Sequence, residues 1–97
     1  MYAIAIIRYR KPLEEVQKHT DAHRAYLQSL KQEGLLVASG PLVPRSGGAL
    51  LLRVPDDDPQ AKLDSIRDND PYIKAGMAQY ETWPWAVGIG AQDLDRL

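Results

Sequence analysis

Residues 23–34, HRAYLQSLKQEG, are the second half of a predicted amphipathic helix that begins near Leu13 and ends near Glu33. With about 100° between successive side chains, one narrow stripe of this helix carries mostly apolar residues, namely Leu13, Val16, Thr20, His23, Leu27 and Leu30. Such a stripe packs against the protein interior. The ionisable ring of His23 is therefore expected either in the core or on the wall of a cleft.

The composition is that of one globular domain over residues 1–97, with 44% hydrophobic and 26% charged residues. The 12 basic and 13 acidic residues form no long runs, so neither nucleic acid nor a membrane surface is a predicted partner. The absence of cysteine excludes disulfides and thiolate chemistry. No apolar run is long enough to span a bilayer and no secretory signal begins the chain, so we expect a cytoplasmic protein.

Strand and helix patterns alternate along the rest of the chain. Strands are predicted over residues 2–9, 35–38, 49–54 and 79–89, a second helix over 58–69, and a tail from about residue 90. Gly34 is expected to end the first helix, and Asp58-Pro59 to begin the second. Pro84 predicts an edge position or a bulge for the last strand.

This β-α-β-β-α-β order predicts an α+β, ferredoxin-like fold, in which a four-stranded antiparallel sheet carries both helices on one face. The strands that begin at Tyr2 and Ala49 are apolar on both faces, and helices can cover only one of them. A second copy of the chain is the simplest cover. We therefore expect a homodimer packed sheet to sheet, with Trp83 and Trp85 filling the core or the interface and a cleft between helices and sheet or near the dimer seam.

His23 has three interpretations at this stage. A buried histidine is most often satisfied by a carbonyl or carboxylate, or it acts as a general base. The third interpretation is a metal site shared with His19, which stands one helical turn earlier. The sequence places no third ligand beside these two, so no metal site is predicted.

Asp70 is the second candidate and also has more than one interpretation. As the residue before Pro71, it is expected at a helix end or turn, where one interpretation is that it only caps the backbone. Alternatively, the turn directs its carboxylate to His23, which would fix the imidazole tautomer and raise its basicity. Such a contact would form within one chain or across the dimer.

Further candidates for substrate binding are Ser39, Gly40, Pro41 and Arg8. The Ser39 hydroxyl is suited to orient a substrate oxygen, and Gly40 permits close backbone approach, although a plain strand-ending turn explains the same residues. Arg8 either binds a carboxylate or enolate or extends into solvent.

Several short motifs occur in a characteristic order: His23 followed by Tyr26-Leu27, then Gly34, Ser39-Gly40-Pro41, and Asp70-Pro71-Tyr72 with Ala75-Gly76. Together they resemble the YCII-related family of the dimeric α+β barrel superfamily. The resemblance implies a ferredoxin-like homodimer whose active site pairs His23 with Asp70. The stretch between Leu42 and Ala49 and the tail beyond Val87 depart from the family pattern, so the substrate is not implied.

The resemblance favours general acid–base catalysis without a cofactor, of the lyase or isomerase type found in aromatic degradation. In this hypothesis His23 removes a proton, Asp70 stabilises the imidazolium, and Ser39 with backbone N–H groups holds the developing oxyanion. A lactone, quinol or halogenated ring would suit a cleft bounded by Tyr72. The alternatives are a dimer that only binds a small molecule or acts as an accessory, and a structural dimerisation module with His23 sealed among protein atoms.

Overall fold

The computed structural model describes residues 1–97, which form four strands and five helices. The strands are β1 (Tyr2–Tyr9), β2 (Leu36–Pro41), β3 (Gly47–Arg53) and β4 (Ala78–Trp85), and the helices are α1 (Leu13–Gln17), α2 (Thr20–Gln32), α3 (Pro59–Asp68), α4 (Pro71–Lys74) and α5 (Ala91–Asp95). The strands pair antiparallel in the order β2-β3-β1-β4. The predicted α+β fold, with helices on one face of the sheet, is confirmed. None of the helices combines the length and the apolar character that a membrane span requires.

The first helix is broken, where a single helix over residues 13–33 was predicted. The Thr20 hydroxyl bonds the Val16 carbonyl oxygen at 3.4 Å, and the backbone N–H of His19 also bonds Val16, at 2.9 Å. A Thr hydroxyl that bonds four residues back bends a helix. The predicted buried stripe is present from Val16 onward. Leu13, which was predicted to belong to it, is 38% exposed.

The core lies between the helices and one face of the sheet. Alternate β1 side chains, Ala3, Ala5 and Ile7, point toward the helices and are buried. They join a cluster that includes Val16, Leu27, Leu30, Leu50, Leu52, Leu63 and Ile66. On the opposite face, Ile4 lies between Leu51 and Trp83 in the strand register. Trp83 is 51% exposed, so this open face is both apolar and accessible.

The end of the chain differs from the prediction. Strand β4 stops at Trp85 because Trp85 already pairs with Tyr2, at the start of β1, and residues further along have no strand to bond. The tail contains α5, which is fastened to the sheet by Arg53 Nη2 donating to the Leu94 carbonyl at 2.8 Å. Strand β4 pairs only with β1, which confirms the edge position that Pro84 indicated.

Gly47 offers a direct test of the register between β1 and β3. A Cβ atom at Gly47 would lie 1.8 Å from the carbonyl oxygen of Ile7, so the two strands must move apart to accept alanine. Gly47→Ala is expected to lower the free energy of unfolding by roughly 1–3 kcal/mol, measured by urea denaturation. Gly88→Ala is the control, because nothing lies within 4 Å of its added Cβ. Equal stability of the two variants would show that the strands do not approach this closely.

Candidate active site

His23 and Asp70 meet within one chain. His23 belongs to the buried stripe of α2 and is 8% exposed. Asp70 precedes Pro71 and keeps an extended backbone at the start of α4, with φ −71° and ψ 128°. This conformation turns the carboxylate inward, where Asp70 Oδ1 lies 2.8 Å from His23 Nδ1. The contact predicted from the sequence is therefore present.

The Asp70 carboxylate is completely buried and fully hydrogen-bonded. Its Oδ1 accepts from the backbone N–H of Tyr72 at 2.9 Å as well as from His23, and its Oδ2 accepts from the Tyr80 hydroxyl. Asp70 thus both caps α4 and orients the imidazole. Because an ionised carboxylate only accepts hydrogen bonds, Nδ1 carries a hydrogen and the neutral ring has its lone pair on Nε2.

The other edge of the imidazole faces a cavity. His23 lines a cleft of about 290 Å³ between α2, the sheet and the β2–β3 connection. The ring is hydrogen-bonded through Nδ1, and no fully buried side-chain nitrogen lacks a partner, so Nε2 is reachable from the cleft. The ring is therefore not sealed among protein atoms, as a purely structural role would require.

Tyr72 forms the floor beside the imidazole. Its ring stacks on His23 with 3.9 Å between centroids and a 12° interplanar angle, and it meets Tyr9 edge to face at 5.9 Å. Its hydroxyl lies 2.8 Å from the Thr20 hydroxyl. Burial raises the pKa of Tyr72, so this hydroxyl stays neutral at physiological pH.

Two further tyrosines, Tyr26 and Tyr80, lie near Asp70. Burial, followed by the charge of Asp70, raises the pKa of Tyr26 to about 12, and the same two causes raise the pKa of Tyr80. Tyr26 donates to the Ile66 carbonyl at 2.7 Å, which fastens α2 to α3. Both hydroxyls therefore remain protonated donors near the buried carboxylate.

The remaining predicted site residues separate into two groups. Ser39, Gly40 and Pro41 line the same cleft as His23 and Tyr72. Arg8 does not, because it lies on the open face of the sheet, where it forms an ion pair with Glu81. The alternation of side chains along β1, which puts Arg8 and Ile7 on opposite faces of the sheet, was already visible in the sequence.

Sequence reasoning missed several residues that line the cleft. The structure also bears on the metal site considered for His19 and His23. Tyr9, Thr20, Arg24 and Arg45 all line the cleft; the available signals were the position of Thr20 on the stripe of His23, that of Arg24 next to His23, and the unusual stretch that contains Arg45. His19 is half-buried just before α2. No group of three His, Asp or Glu side chains is arranged to hold a metal ion.

Replacing Tyr80 tests the arrangement around Asp70. Tyr80→Phe leaves a buried carboxylate oxygen without its donor, so the free energy of unfolding at neutral pH should fall by roughly 1–3 kcal/mol. The raised pKa of Tyr80 means that the folded protein keeps this proton after the unfolded chain has lost it. Stability should therefore decrease as the pH rises above about 10, and less steeply in the variant.

Urea denaturation from neutral pH to about pH 11 measures both effects. Tyr2→Phe is the control at neutral pH, because the Tyr2 hydroxyl bonds Asp95 in an exposed position and its loss should change stability by no more than about 0.5 kcal/mol. A Tyr80→Phe protein with wild-type stability and wild-type alkaline slope would contradict the assigned contact.

Comparisons with known proteins identify the fold and the family of the chain. The chain shares its fold with 5-chloro-2-hydroxyhydroquinone dehydrochlorinase from Burkholderia phenoliruptrix AC1100, solved in complex with 2,5-dihydroxybenzoquinone; the TM-score is 0.74 at 24% identity, over 91% of this chain and 96% of the other. Curated protein sequences yield no significant match. The profile of the YCII-related domain matches residues 1–86. Because this match spans most of the 97 residues, the chain belongs to the YCII-related domain family.

Proposed function

We propose that the protein is a cytoplasmic, cofactor-independent acid–base enzyme of the lyase or isomerase type. Its substrate would be a small cyclic or aromatic-derived compound bound in the cleft. The observation that carries the proposal is the imidazole of His23, held at Nδ1 by the buried Asp70 carboxylate at 2.8 Å while its other nitrogen faces an open cavity. This is the arrangement that a general base needs.

In the proposed reaction, Nε2 of His23 removes a proton from a substrate hydroxyl or from a carbon next to a carbonyl. The positive charge that forms on the ring lies beside the Asp70 carboxylate, whose effect is strengthened by complete burial. Stacking on Tyr72 at 3.9 Å holds the plane of the ring. Proton transfer therefore needs no reorientation of the base.

The substrate oxygen is assigned to the part of the cleft that β2 lines. Ser39, Gly40 and Pro41 form the lining there, at the exposed end of β2. In the proposal the Ser39 hydroxyl and backbone N–H groups stabilise the developing oxyanion. Tyr72 supplies a flat apolar surface against which a ring can pack.

Dehydrochlorination is the specific reaction that we propose to test first. The structural relative is a dehydrochlorinase, and an overall loss of HCl fits a single base. The proton of a C–H bond next to a carbonyl passes to Nε2 of His23, the electron pair of that bond forms a carbon–carbon double bond, and chloride leaves with the electron pair of its bond to carbon. Chlorinated quinols and related lactones are therefore the first substrate candidates.

A second candidate function is binding without turnover. Six of the fifteen residues that line the cleft are hydrophobic, as in many small-molecule binding sites. In that case His23 would only donate or accept a hydrogen bond to the bound molecule. The two functions differ in whether His23 changes turnover or only affinity.

We also propose that the protein acts as a homodimer packed through the open face of the sheet. Tyr2, Ile4 and Ile6 point to this face in β1, and the paired Trp85 and Trp83 are 40% and 51% exposed. A contiguous apolar surface of this kind marks an association site. A second sheet with the same surface would cover it symmetrically.

His23→Ala tests the acid–base role. Turnover, measured as chloride release from 5-chloro-2-hydroxyhydroquinone, should fall by roughly 10²- to 10⁴-fold because the general base is lost. Circular dichroism should show a folded protein, since the hydrophobic core does not include His23. His19→Ala is the matched control and should retain turnover. Full activity of His23→Ala would reject the mechanism, and wild-type protein that binds these compounds without turning them over would favour the binding function.

Sedimentation equilibrium at micromolar concentration tests the dimer. The expected mass is that of two 10.9 kDa chains. Ile4→Glu places a charge in the middle of the open face and should shift the protein toward monomer, whereas Gln32→Glu, on exposed α2 surface, should not. A monomeric wild-type protein under these conditions would disprove the proposed assembly.

A further inference from the structure

The charges that line the cleft are of one sign. Arg24 and Arg45 both belong to the lining, and no aspartate or glutamate does. The structure contains seven ion pairs, and neither arginine takes part in any of them. The cleft therefore presents two positive charges that no carboxylate of the chain neutralises.

Three of the five arginines outside the cleft have acidic partners. Arg8 pairs with Glu81 on the open face, Arg96 pairs with Asp93 in α5, and Arg67 contacts acidic residues around the end of α3. The other two, Arg10 and Arg53, bond amide or carbonyl oxygens instead. Arg24 and Arg45 differ from all five because they line the cleft.

Arg45 is held in place from one side. Its Nε donates to the Tyr9 hydroxyl at 3.3 Å, which leaves the two terminal nitrogens for other acceptors. The connection that carries it is fastened at both ends, by the N–H of Leu42 to Gly47 O at 2.9 Å and the N–H of Tyr9 to Ser46 O at 3.1 Å. A guanidinium anchored in this way is ready to bind a planar anion.

Arg45 also has a defined relation to the proposed base. It bonds Tyr9, which packs edge to face on Tyr72 at 5.9 Å, and Tyr72 stacks on His23 at 3.9 Å. The guanidinium and the imidazole are therefore linked through two packed tyrosine rings, and both groups line the same cleft. A molecule bound in the cleft can thus meet both groups.

We propose that Arg45, together with Arg24, binds a carboxylate group, so that among the ring compounds of the proposed function the cleft prefers those that carry a carboxylate. This inference rests on the proposed function, because it takes the cleft to be the substrate site. In the proposal the carboxylate contacts the Arg45 guanidinium, Arg24 adds positive charge to the same lining, and the proton to be removed faces Nε2 of His23.

The test compares benzoate with benzamide, which has the same shape and no charge. Isothermal titration calorimetry should give benzoate roughly ten- to hundredfold higher affinity, the range of a charge-assisted hydrogen bond, and this preference should weaken with added salt. Arg45→Gln should reduce the preference at least tenfold, and the double variant with Arg24→Gln should abolish it. Arg67→Gln is the control, because it removes the same charge away from the cleft.

The outcomes separate this inference from the proposed function. Equal affinity for the two compounds, no measurable binding of benzoate, or an unchanged preference in the double variant would overturn the carboxylate site. Thermal melting of each variant identifies losses that are due to unfolding. His23→Ala should keep the benzoate preference. Wild-type protein that shows this preference but turns over none of the candidate substrates would retain the carboxylate site and reject the enzymatic function.

Discussion

A hydrogen bond 2.8 Å long, between His23 Nδ1 and Asp70 Oδ1, links the folding of this chain to its chemistry. A buried carboxylate is costly unless it is well hydrogen-bonded, and Asp70 is completely buried. Donors from α2, α4 and β4 surround it. The same group thereby holds three elements together and sets the orientation of the imidazole, so the site cannot be altered without affecting the packing beneath it.

The aromatic groups extend this constraint to the cleft. Tyr72 is positioned by its backbone bond to Asp70 and by the Thr20 hydroxyl, and it in turn supports His23 and Tyr9. Burial raises the pKa of Tyr72 and of Tyr80 and keeps both phenols neutral, so the charges around His23 come from Asp70 and from the arginines of the cleft. Electrostatic effects are strong in such surroundings, which favours both proton transfer and the recognition of an anion.

The two sides of the cleft have different origins. The side that carries His23, Asp70 and Tyr72 is built from α2 and from the start of α4. The side that carries Arg45 lies on the β2–β3 connection. A fold commonly keeps its reaction centre on regular elements and varies its specificity through loops. The carboxylate inference follows this division.

Much of the architecture follows from local patterns. The β-α-β-β-α-β order, the buried stripe through His23, the helix end at Gly34 and the edge position indicated by Pro84 all agree with the structure. These features arise from periodic burial and backbone preferences, which act between near neighbours. The stripe also identified His23 as the unusual residue, and the turn before Pro71 identified Asp70.

Contacts between distant residues were decided only by the tertiary structure. The break before Thr20 involves a hydroxyl that also meets Tyr72, and α5 forms where the tail finds Arg53. The alternation of side chains along β1 placed Arg8 and Ile7 on opposite faces of the sheet. Only the packing of the helices determined which of these two residues points into the cleft. Arg45 reaches Tyr9 across 36 positions of the chain, because the pairing of β3 with β1 brings their ends together. Periodicity assigns a side chain to a face, whereas long-range packing determines what that face meets.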